Sequence, residues 1–109
     1  MGTFQIRKKN NGGFQFNLKA NDGQIILMSE DYPLKVSCID GIQSVKRFAM
    51  SDRQFDKKTS VNGKYYFNLK SDNGKILGVS EMYETEKSMY YGIESVKIHA
   101  PTAPLEDLT

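Results

Sequence analysis

The sequence predicts an α+β domain made of two tandem β-β-β-α(-β) repeats, which form one antiparallel sheet with two helices packed on one face. Two observations carry this prediction: an internal repeat, and a hydrophobic period that changes within each copy. Residues 12–49 return as residues 63–100 at a constant shift of 51 positions, without a gap. FNLK, a Ser-Glu pair with a Tyr two residues further on, and the run G-I-x-S-V-K occur in both copies.

Each copy begins with segments that alternate like strands. Residues 3–7 alternate polar and apolar side chains, and residues 14–19 do so more cleanly. A stretch rich in Asn and Gly follows each of these segments. Such a stretch predicts a tight turn, because both residues accept a positive φ. Residues 24–29 are apolar on both faces, which is typical of a strand inside a sheet. The first strand of the second copy is expected around Phe55.

The hydrophobic period then lengthens to that of a helix. Thr85 is a predicted N-cap in the second copy, where the first copy has Leu34, and Pro101 prevents the second helix from continuing. Gly41 and Gly92 lie in mid-helix, where Gly costs up to about 1 kcal/mol relative to Ala, and we predict that they let the helix approach the sheet closely. The apolar stripes are Cys38, Ile42, Val45 and Ala49, and Met89, Ile93, Val96 and Ala100.

The length favours one domain. A unit of about 50 residues buries too little surface to be comfortably stable alone, so the two copies are expected to share one core. We therefore predict a single domain of 109 residues, with repeats at about 1–51 and 52–102 and a tail at 103–109. Residues 103–105 are expected to form a short edge strand, and the rest of the tail is expected to lack regular structure.

Composition excludes several classes of protein. Hydrophobic residues make up 39% and charged residues 26%, which is typical of a soluble globular chain. The net charge of +2 is small for a nucleic-acid binder. The single cysteine cannot form an internal disulfide, and no apolar run reaches the roughly 20 residues of a membrane helix or resembles a signal peptide. The sequence predicts a cytoplasmic protein without a membrane partner.

The repeated motifs resemble those of a known family. The pattern x-F-N-L-K-x-x-[DN]-G-x-I-[IL], followed by S-E-x-Y and S-x-x-x-G-I-x-S-V-K, occurs twice. It resembles the YegP-like family of small bacterial proteins, which contain one or two copies of a domain of unknown function. The resemblance implies β-β-β-α-β units that combine into one antiparallel sheet with exchanged C-terminal strands, and it places the linker around Phe55 in that sheet. It brings no established activity and therefore no functional residues.

Two side chains deserve consideration as catalytic groups. His99 is the only histidine, and its counterpart in the first copy is the apolar Phe48, so we interpret His99 as structural. Cys38 corresponds to Met89, so a buried core thiol is predicted rather than a nucleophile.

The repeated Ser-Glu pairs allow two interpretations. Ser29-Glu30 and Ser80-Glu81 could supply two symmetry-related carboxylates, but hydrogen bonding at a strand end or helix terminus is favoured. The sequence contains no Gly-rich phosphate loop, C-x-x-C pair or H-E-x-x-H motif. We expect no enzymatic activity, no cofactor and no metal.

The helix-free face of the sheet is the predicted binding surface. Its candidate residues are Gln15, Asn17, Lys19, Tyr66, Asn68 and Lys70. Ile25, Leu27 and Ile76 are expected on the same side. The leading hypothesis is a small monomeric binding module that contacts a protein partner through this face or through a free edge strand. The alternatives are weak, sequence-tolerant binding of single-stranded nucleic acid, with Tyr66 as a stacking platform, and a face that is only solvated.

Overall fold

The computed structural model describes residues 2–109 and contains one seven-stranded sheet and two α-helices. The elements are β1 Thr3–Lys8, β2 Phe14–Lys19, β3 Ile25–Met28, α1 Lys35–Phe48, β4 Phe55–Thr59, β5 Tyr65–Lys70, β6 Ile76–Val79, α2 Glu86–His99 and β7 Leu105–Asp107. A short 3-10 turn follows each helix, at Asp52–Gln54 and Ala100–Thr102. The strand order across the sheet is β4-β5-β6-β3-β2-β1-β7.

The two copies meet in the middle of this sheet. β3 and β6 pair antiparallel, with Met28 opposite Val79, so each copy supplies three consecutive strands to one side of the join. The predicted α+β class and tandem repeat are confirmed. The sheet is mixed, however, because β7 joins β1 in parallel, with Phe4 opposite Leu105. A hairpin forces neighbouring strands to run antiparallel, whereas β7 arrives from α2 and is free of that constraint.

β7 also changes the expectation for the tail. The strand lies at Leu105–Asp107 rather than at residues 103–105, and the hydrogen bond from Leu108 N–H to Ile6 O, 3.0 Å long, continues the pairing beyond it. The C-terminal strand of the second copy therefore lies on the first copy, in agreement with the exchange that the family resemblance implied.

One core lies between the sheet and both helices. Phe16, Leu18, Phe67 and Leu69 are fully buried, as the alternation of β2 and β5 predicted. Both predicted helical stripes belong to the same buried cluster. Each helix lies over strands of both copies: α1 contacts β2, β5 and β6, while α2 contacts β3 and β5. The helices therefore share one face of the sheet, as predicted.

A tyrosine explains the glycine in the middle of each helix. A Cβ atom on Gly41 would lie 2.9 Å from Cζ of Tyr32 and 3.1 Å from Cε2 of Phe16. A Cβ on Gly92 would lie 2.6 Å from Cζ of Tyr83. The predicted close approach is confirmed, and its partner is the Tyr of the repeated S-E-x-Y motif. The two motifs recur together because one packs on the other.

The caps at the ends of the helices agree with the sequence prediction. The Oγ1 atom of Thr85 accepts the backbone N–H of Ser88 at 3.0 Å, whereas Leu34 provides no side-chain cap for α1. Basic residues lie in the last turn of both helices, where cations interact favourably with the helix dipole. Neither helix of residues 2–109 is long and apolar enough to cross a membrane.

A β-bulge overturns the predicted position of Leu27. Lys19 pairs with Ile25 and Leu18 pairs with Leu27, so Ile26 is an extra residue that breaks the alternation. Leu27 is fully buried on the helix side, where its Cγ would lie 2.6 Å from a Cβ on Gly78. Ile25 and its counterpart Ile76, which pairs with Lys70, remain on the helix-free face as predicted.

Candidate binding surface

The structure brings all six predicted candidate residues to the helix-free face. One row of paired residues crosses the whole sheet there: Asp56, Asn68, Val79, Met28, Asn17, Gln5 and Glu106. The other four candidates, Gln15, Lys19, Tyr66 and Lys70, lie two positions before or after the asparagines on β2 and β5. They form two clusters of three, separated by Met28 and Val79.

The amide side chains of this face are less available to a partner than the sequence indicated, because they are buried or already hydrogen-bonded. Asn17 and Asn68 are only 9% and 8% exposed, because each lies on an interior strand between two cross-strand neighbours, Gln5 and Met28 for Asn17 and Asp56 and Val79 for Asn68. The Gln15 amide donates to the carbonyl oxygen of Ser29 at 2.9 Å. Lys19 and Tyr66 are therefore the candidates best placed to contact a partner. The buried Oδ1 atom of Asn17 lacks a hydrogen-bond partner among residues 2–109.

Charges on this face are partly paired. The Asp56 carboxylate lies 2.7 Å from the Lys70 ammonium and 3.4 Å from that of Lys58. The hydrogen bond from Lys70 is the main cause that holds the pKa of Asp56 below its usual value. At the opposite edge, Gln5 donates a hydrogen bond to Glu106. With Arg7 and Lys19, the face carries more cations than carboxylates.

The strands β1 and β4 occupy equivalent positions in the two copies, but their outer edges differ: β7 lies beside β1, and no described strand lies beside β4. On β1, Lys9 N–H donates to Gly13 O across the hairpin. Along an antiparallel strand, the main-chain N–H and C=O groups point alternately toward the partner strand and away from it. Counting back from Lys9, the groups of Phe4 and Ile6 therefore point away from β2. These groups form hydrogen bonds with β7 and the residues beside it; for example, Phe4 N–H donates to Pro104 O at 2.9 Å.

On β4, Ser60 N–H donates to Lys64 O across the equivalent hairpin. The same alternation directs the N–H and C=O groups of Lys57 and Thr59 away from β5. Within the described part of the chain, no strand lies beside this edge.

The strand that covers β1 is acidic. Glu106 accepts the hydrogen bond from Gln5, and Asp107 pairs with Lys35 of α1. The hydrogen bond from Lys35 is the largest cause that holds the pKa of Asp107 far below its usual value. The uncovered strand β4 carries Lys57 and Lys58 instead.

The predicted structural roles of the remaining candidates agree with their surroundings. Cys38 is fully buried, and burial raises the pKa of its thiol to about 11. The Nδ1 atom of His99 lies 2.8 Å from the carbonyl oxygen of Ser95 on the same helix. Among residues 2–109, no group of three His, Cys, Asp or Glu side chains is placed to hold a metal ion.

The repeated serines tie strand ends together. Ser29 Oγ accepts the N–H of Phe16 at 2.9 Å and donates to the carbonyl oxygen of Glu30 at 2.8 Å. Ser80 makes the same pair of bonds in the second copy, with Phe67 and Glu81. The strand-end interpretation of the Ser-Glu pairs is therefore confirmed for the serines.

The structure also contains a concave site that the sequence prediction missed. A cleft of about 790 Å³ lies between α1, the loop after β3 and the turn after β5. It is lined by Glu30, Tyr32, Asp40, Ser44, Asp72 and Lys75, among others. A comparison of the two copies could have drawn attention to it, since Tyr91 stands at the position of Asp40 and Gln24 at that of Lys75.

The repeat, the sheet order and the two helices on one face define a two-repeat α+β protein, and comparisons with known proteins place it in a family. Residues 10–56 and 60–107 each match the family described as a domain of unknown function (DUF1508). The chain belongs to this family.

Curated relatives match over nearly the full chain. A UPF0339 protein from Stutzerimonas stutzeri, named for its place in the 5′ region of a ptx operon, is 46% identical over 107 residues, which cover 98% of this chain and 96% of the relative. The UPF0339 protein YegP of Escherichia coli strain K12 is 43% identical over 108 residues, 99% of this chain and 98% of the relative. The YegP-like resemblance is confirmed.

Two solved structures show the same fold. The solution NMR structure of E. coli YegP, described as a protein of unknown function, has a TM-score of 0.94 at 42% identity and covers 99% of this chain and 93% of its own. The solution NMR structure of a UPF0339 protein from Shewanella oneidensis has a TM-score of 0.94 at 38% identity, and covers 99% and 92%.

Proposed function

We propose that the protein is a small, monomeric, non-catalytic binding module of the cytoplasm, and that it adds an extended segment of a protein partner to the outer edge of β4. One observation carries the proposal: the repeat makes the β1 and β4 edges equivalent, yet within residues 2–109 a strand covers β1 and none covers β4. Strand addition supplies main-chain hydrogen bonds, and the N–H and C=O groups of Lys57 and Thr59 supply the positions for them.

The charges of β4 favour an acidic partner. Lys57 and Lys58 are both exposed, and the Lys57 ammonium lies 5.3 Å from the centre of the Tyr90 ring. Lysines at a sheet edge discourage pairing with a second copy, because like charges would meet there. An extended segment with carboxylates offsets those charges, and β7 with Glu106 and Asp107 is an example of such a segment on the equivalent edge.

A peptide with the sequence of residues 103–109, blocked at both ends, tests this proposal. We expect it to shift the amide resonances of Lys57 and Thr59 in the full-length protein and to saturate. Lys57→Pro removes the outward N–H without removing a bond to β5, and should weaken peptide binding at least tenfold. Lys57→Gln is the matched control, since it removes the charge and keeps the N–H, and should weaken binding less than fivefold.

Equal losses in the two variants would show that charge alone attracts the peptide, and would contradict strand addition. Resonance shifts confined to β1 would show that the peptide only displaces β7. A concentration-dependent dimer in sedimentation would identify a second copy as the occupant of the edge instead.

Single-stranded nucleic acid on the helix-free face is a second candidate function. The supporting observation is the half-exposed Tyr66 on a face with a surplus of cations. Aromatic stacking together with basic side chains binds single strands with little sequence preference. The carboxylates of Asp56 and Glu106 on the same face oppose this binding.

The combined substitution of Lys19, Tyr66 and Lys70 by Ser tests the face. We expect a loss of unfolding free energy of about 1 kcal/mol or less, because these side chains are only half-buried. If the face binds nucleic acid, oligo(dT) should bind the unchanged protein with a steep salt dependence and should not bind the variant. Fluorescence anisotropy at several salt concentrations measures both. Failure of the unchanged protein to bind oligo(dT) would reject this candidate function. If the triple variant still binds the 103–109 peptide, the peptide binds at the edge of β4 and not on the helix-free face.

A further inference from the structure

The cleft beside α1 has the size and polarity of a ligand site. Its volume of about 790 Å³ falls within the range of small-molecule pockets in proteins. It is formed by Tyr32 and its loop on one side, by Gly41 and Asp40 of α1 on another, and by the turn 71–74 on the third. The edge of β4 does not line it, so this site is independent of the proposed strand addition.

Tyr32 places an unused polar group in this cleft. The side chain is only 8% exposed, and its hydroxyl has no hydrogen-bond partner among residues 2–109. Burial is the main cause that raises the pKa of Tyr32, so the hydroxyl stays neutral and can both donate and accept. The hydroxyl is not among the fully buried, unpartnered side-chain atoms of residues 2–109, so it remains accessible to solvent and to a ligand that enters the cleft.

The ring of Tyr32 already receives a cation. The Lys75 ammonium lies 5.6 Å from the ring centre, within the range of a cation–π interaction. Lys75 is exposed and belongs to the segment before β6, so its long side chain can move away at little cost. The same position above the ring is therefore open to a cation supplied by a ligand.

The carboxylates that line the cleft differ in whether they form an ion pair with another described residue. Asp31 lies 2.7 Å from the Lys9 ammonium, and Asp72 lies 3.6 Å from the Arg53 guanidinium. Glu30 and Asp40, by contrast, form no ion pair with any residue in the range 2–109.

These carboxylates line the cleft from two different elements, Glu30 from the loop after β3 and Asp40 from α1. No three acidic groups of the described residues are close enough together to hold a metal ion. An organic cation, whose hydrogen-bond donors are spread over several atoms, fits this arrangement better than a single ion does.

The second copy shows that the fold does not require an acid at the position of Asp40 or a lysine at the position of Lys75. Its tyrosine, Tyr83, packs on Gly92 in the same way that Tyr32 packs on Gly41. Yet it has Tyr91 where the first copy has Asp40, and Gln24 where the first copy has Lys75. The packing of Tyr on Gly is therefore structural, whereas the charges of Asp40 and Lys75 occur at these positions in only one of the two copies, and Glu30 recurs as Glu81.

We propose that this cleft binds an alkylammonium or alkylguanidinium group, which takes the place of Lys75 above the Tyr32 ring. The Tyr32 hydroxyl and the Glu30 and Asp40 carboxylates accept its hydrogen bonds. The group could belong to a free amine or to a Lys or Arg side chain of a peptide, because both present the same chemistry.

Titration of the full-length, isotope-labelled protein tests the proposal, with agmatine as the free cation and a blocked Gly-Arg-Gly peptide as the side-chain source. We expect saturable amide shifts at Tyr32, Gly41 and residues 72–75. Glu30→Gln combined with Asp40→Asn should weaken binding at least tenfold. Glu81→Gln, at the position equivalent to Glu30, is the matched control and should change binding less than twofold.

Lys75→Met separates this site from simple attraction of cations to acids. Removal of the internal competitor should tighten binding at least threefold, whereas removal of one surface cation remote from the cleft, as in Lys87→Met, should not. The proposal is overturned if the shifts spread over carboxylates across the surface, if Glu81→Gln weakens binding as much as the double variant does, or if Lys75→Met does not tighten binding. If the peptide binds more tightly than agmatine, the natural cation is a side chain of a protein partner. If agmatine binds more tightly, the natural ligand is a free amine.

Discussion

Residues 1–51 alone are expected to be unfolded or dimeric rather than a folded monomer. α1 packs over β5 and β6 of the second copy, and Leu27 fills the space that Gly78 leaves free. A fragment of this length also loses β7, which covers the β1 edge. Too little apolar surface remains to offset the entropy of ordering the chain. Circular dichroism and sedimentation equilibrium of the fragment measure the outcome.

The matched experiment mixes this fragment with residues 52–109. Because the interface between the copies is the shared core, we expect an equimolar complex with the helical signal of the intact chain. A fragment that is monomeric, folded and cooperative in its melting would show that each copy has a core of its own, and would contradict the shared-core interpretation.

Gly92→Ala is expected to destabilise the protein, although the same change stabilises an ordinary helix. Helix propensity alone predicts a gain of about 1 kcal/mol. The new Cβ would lie 2.6 Å from Cζ of Tyr83, and overpacking of this kind costs about 1–3 kcal/mol. Gly92→Leu and Gly41→Leu should cost more, since longer side chains force the helix further from the tyrosine. Urea unfolding of each variant measures the free energy.

A double variant tests the cause. Tyr83→Leu removes the ring and hydroxyl that the new methyl group would meet, so Gly92→Ala should cost less in that background than in the unchanged protein. Glu94→Ala, an exposed change two residues further along α2, should stay within about 0.5 kcal/mol. A stabilising effect of Gly92→Ala would show that the tyrosine yields easily and that propensity decides the outcome at this position.

Much of the fold could be predicted because its signals are local or repeated. The alternation of residues 14–19 and the helical stripe of Cys38, Ile42 and Val45 each describe which face of one element is apolar. The Thr85 cap follows from the chemistry of one hydroxyl near a free N–H group. The duplication then predicts that the strands, the helix and their apolar faces in one copy recur in the other.

The candidate site was predicted less completely. Alternation placed Gln15, Asn17 and Lys19 on one face correctly, but exposure depends on what lies opposite in the neighbouring strands, and Asn17 is nearly buried. The bulge at Ile26 moved Leu27 to the core, since one extra residue reverses the side on which the next side chain points. The cleft around Tyr32 joins loops and a turn from both copies, and no local pattern marks such a meeting.

The sequence by itself determined the three strands and one helix of each copy, the repeat, the apolar stripes of β2, β5 and both helices, and the shared core, because propensity, periodicity and size act along the chain. The tertiary structure decided the order and direction of the strands at the sheet edges. β7 takes the β1 edge in parallel, and within residues 2–109 the equivalent edge of β4 has no neighbouring strand. These outcomes depend on which distant segments come together after α2, where only one C-terminal strand is present for two edges that the repeat makes equivalent.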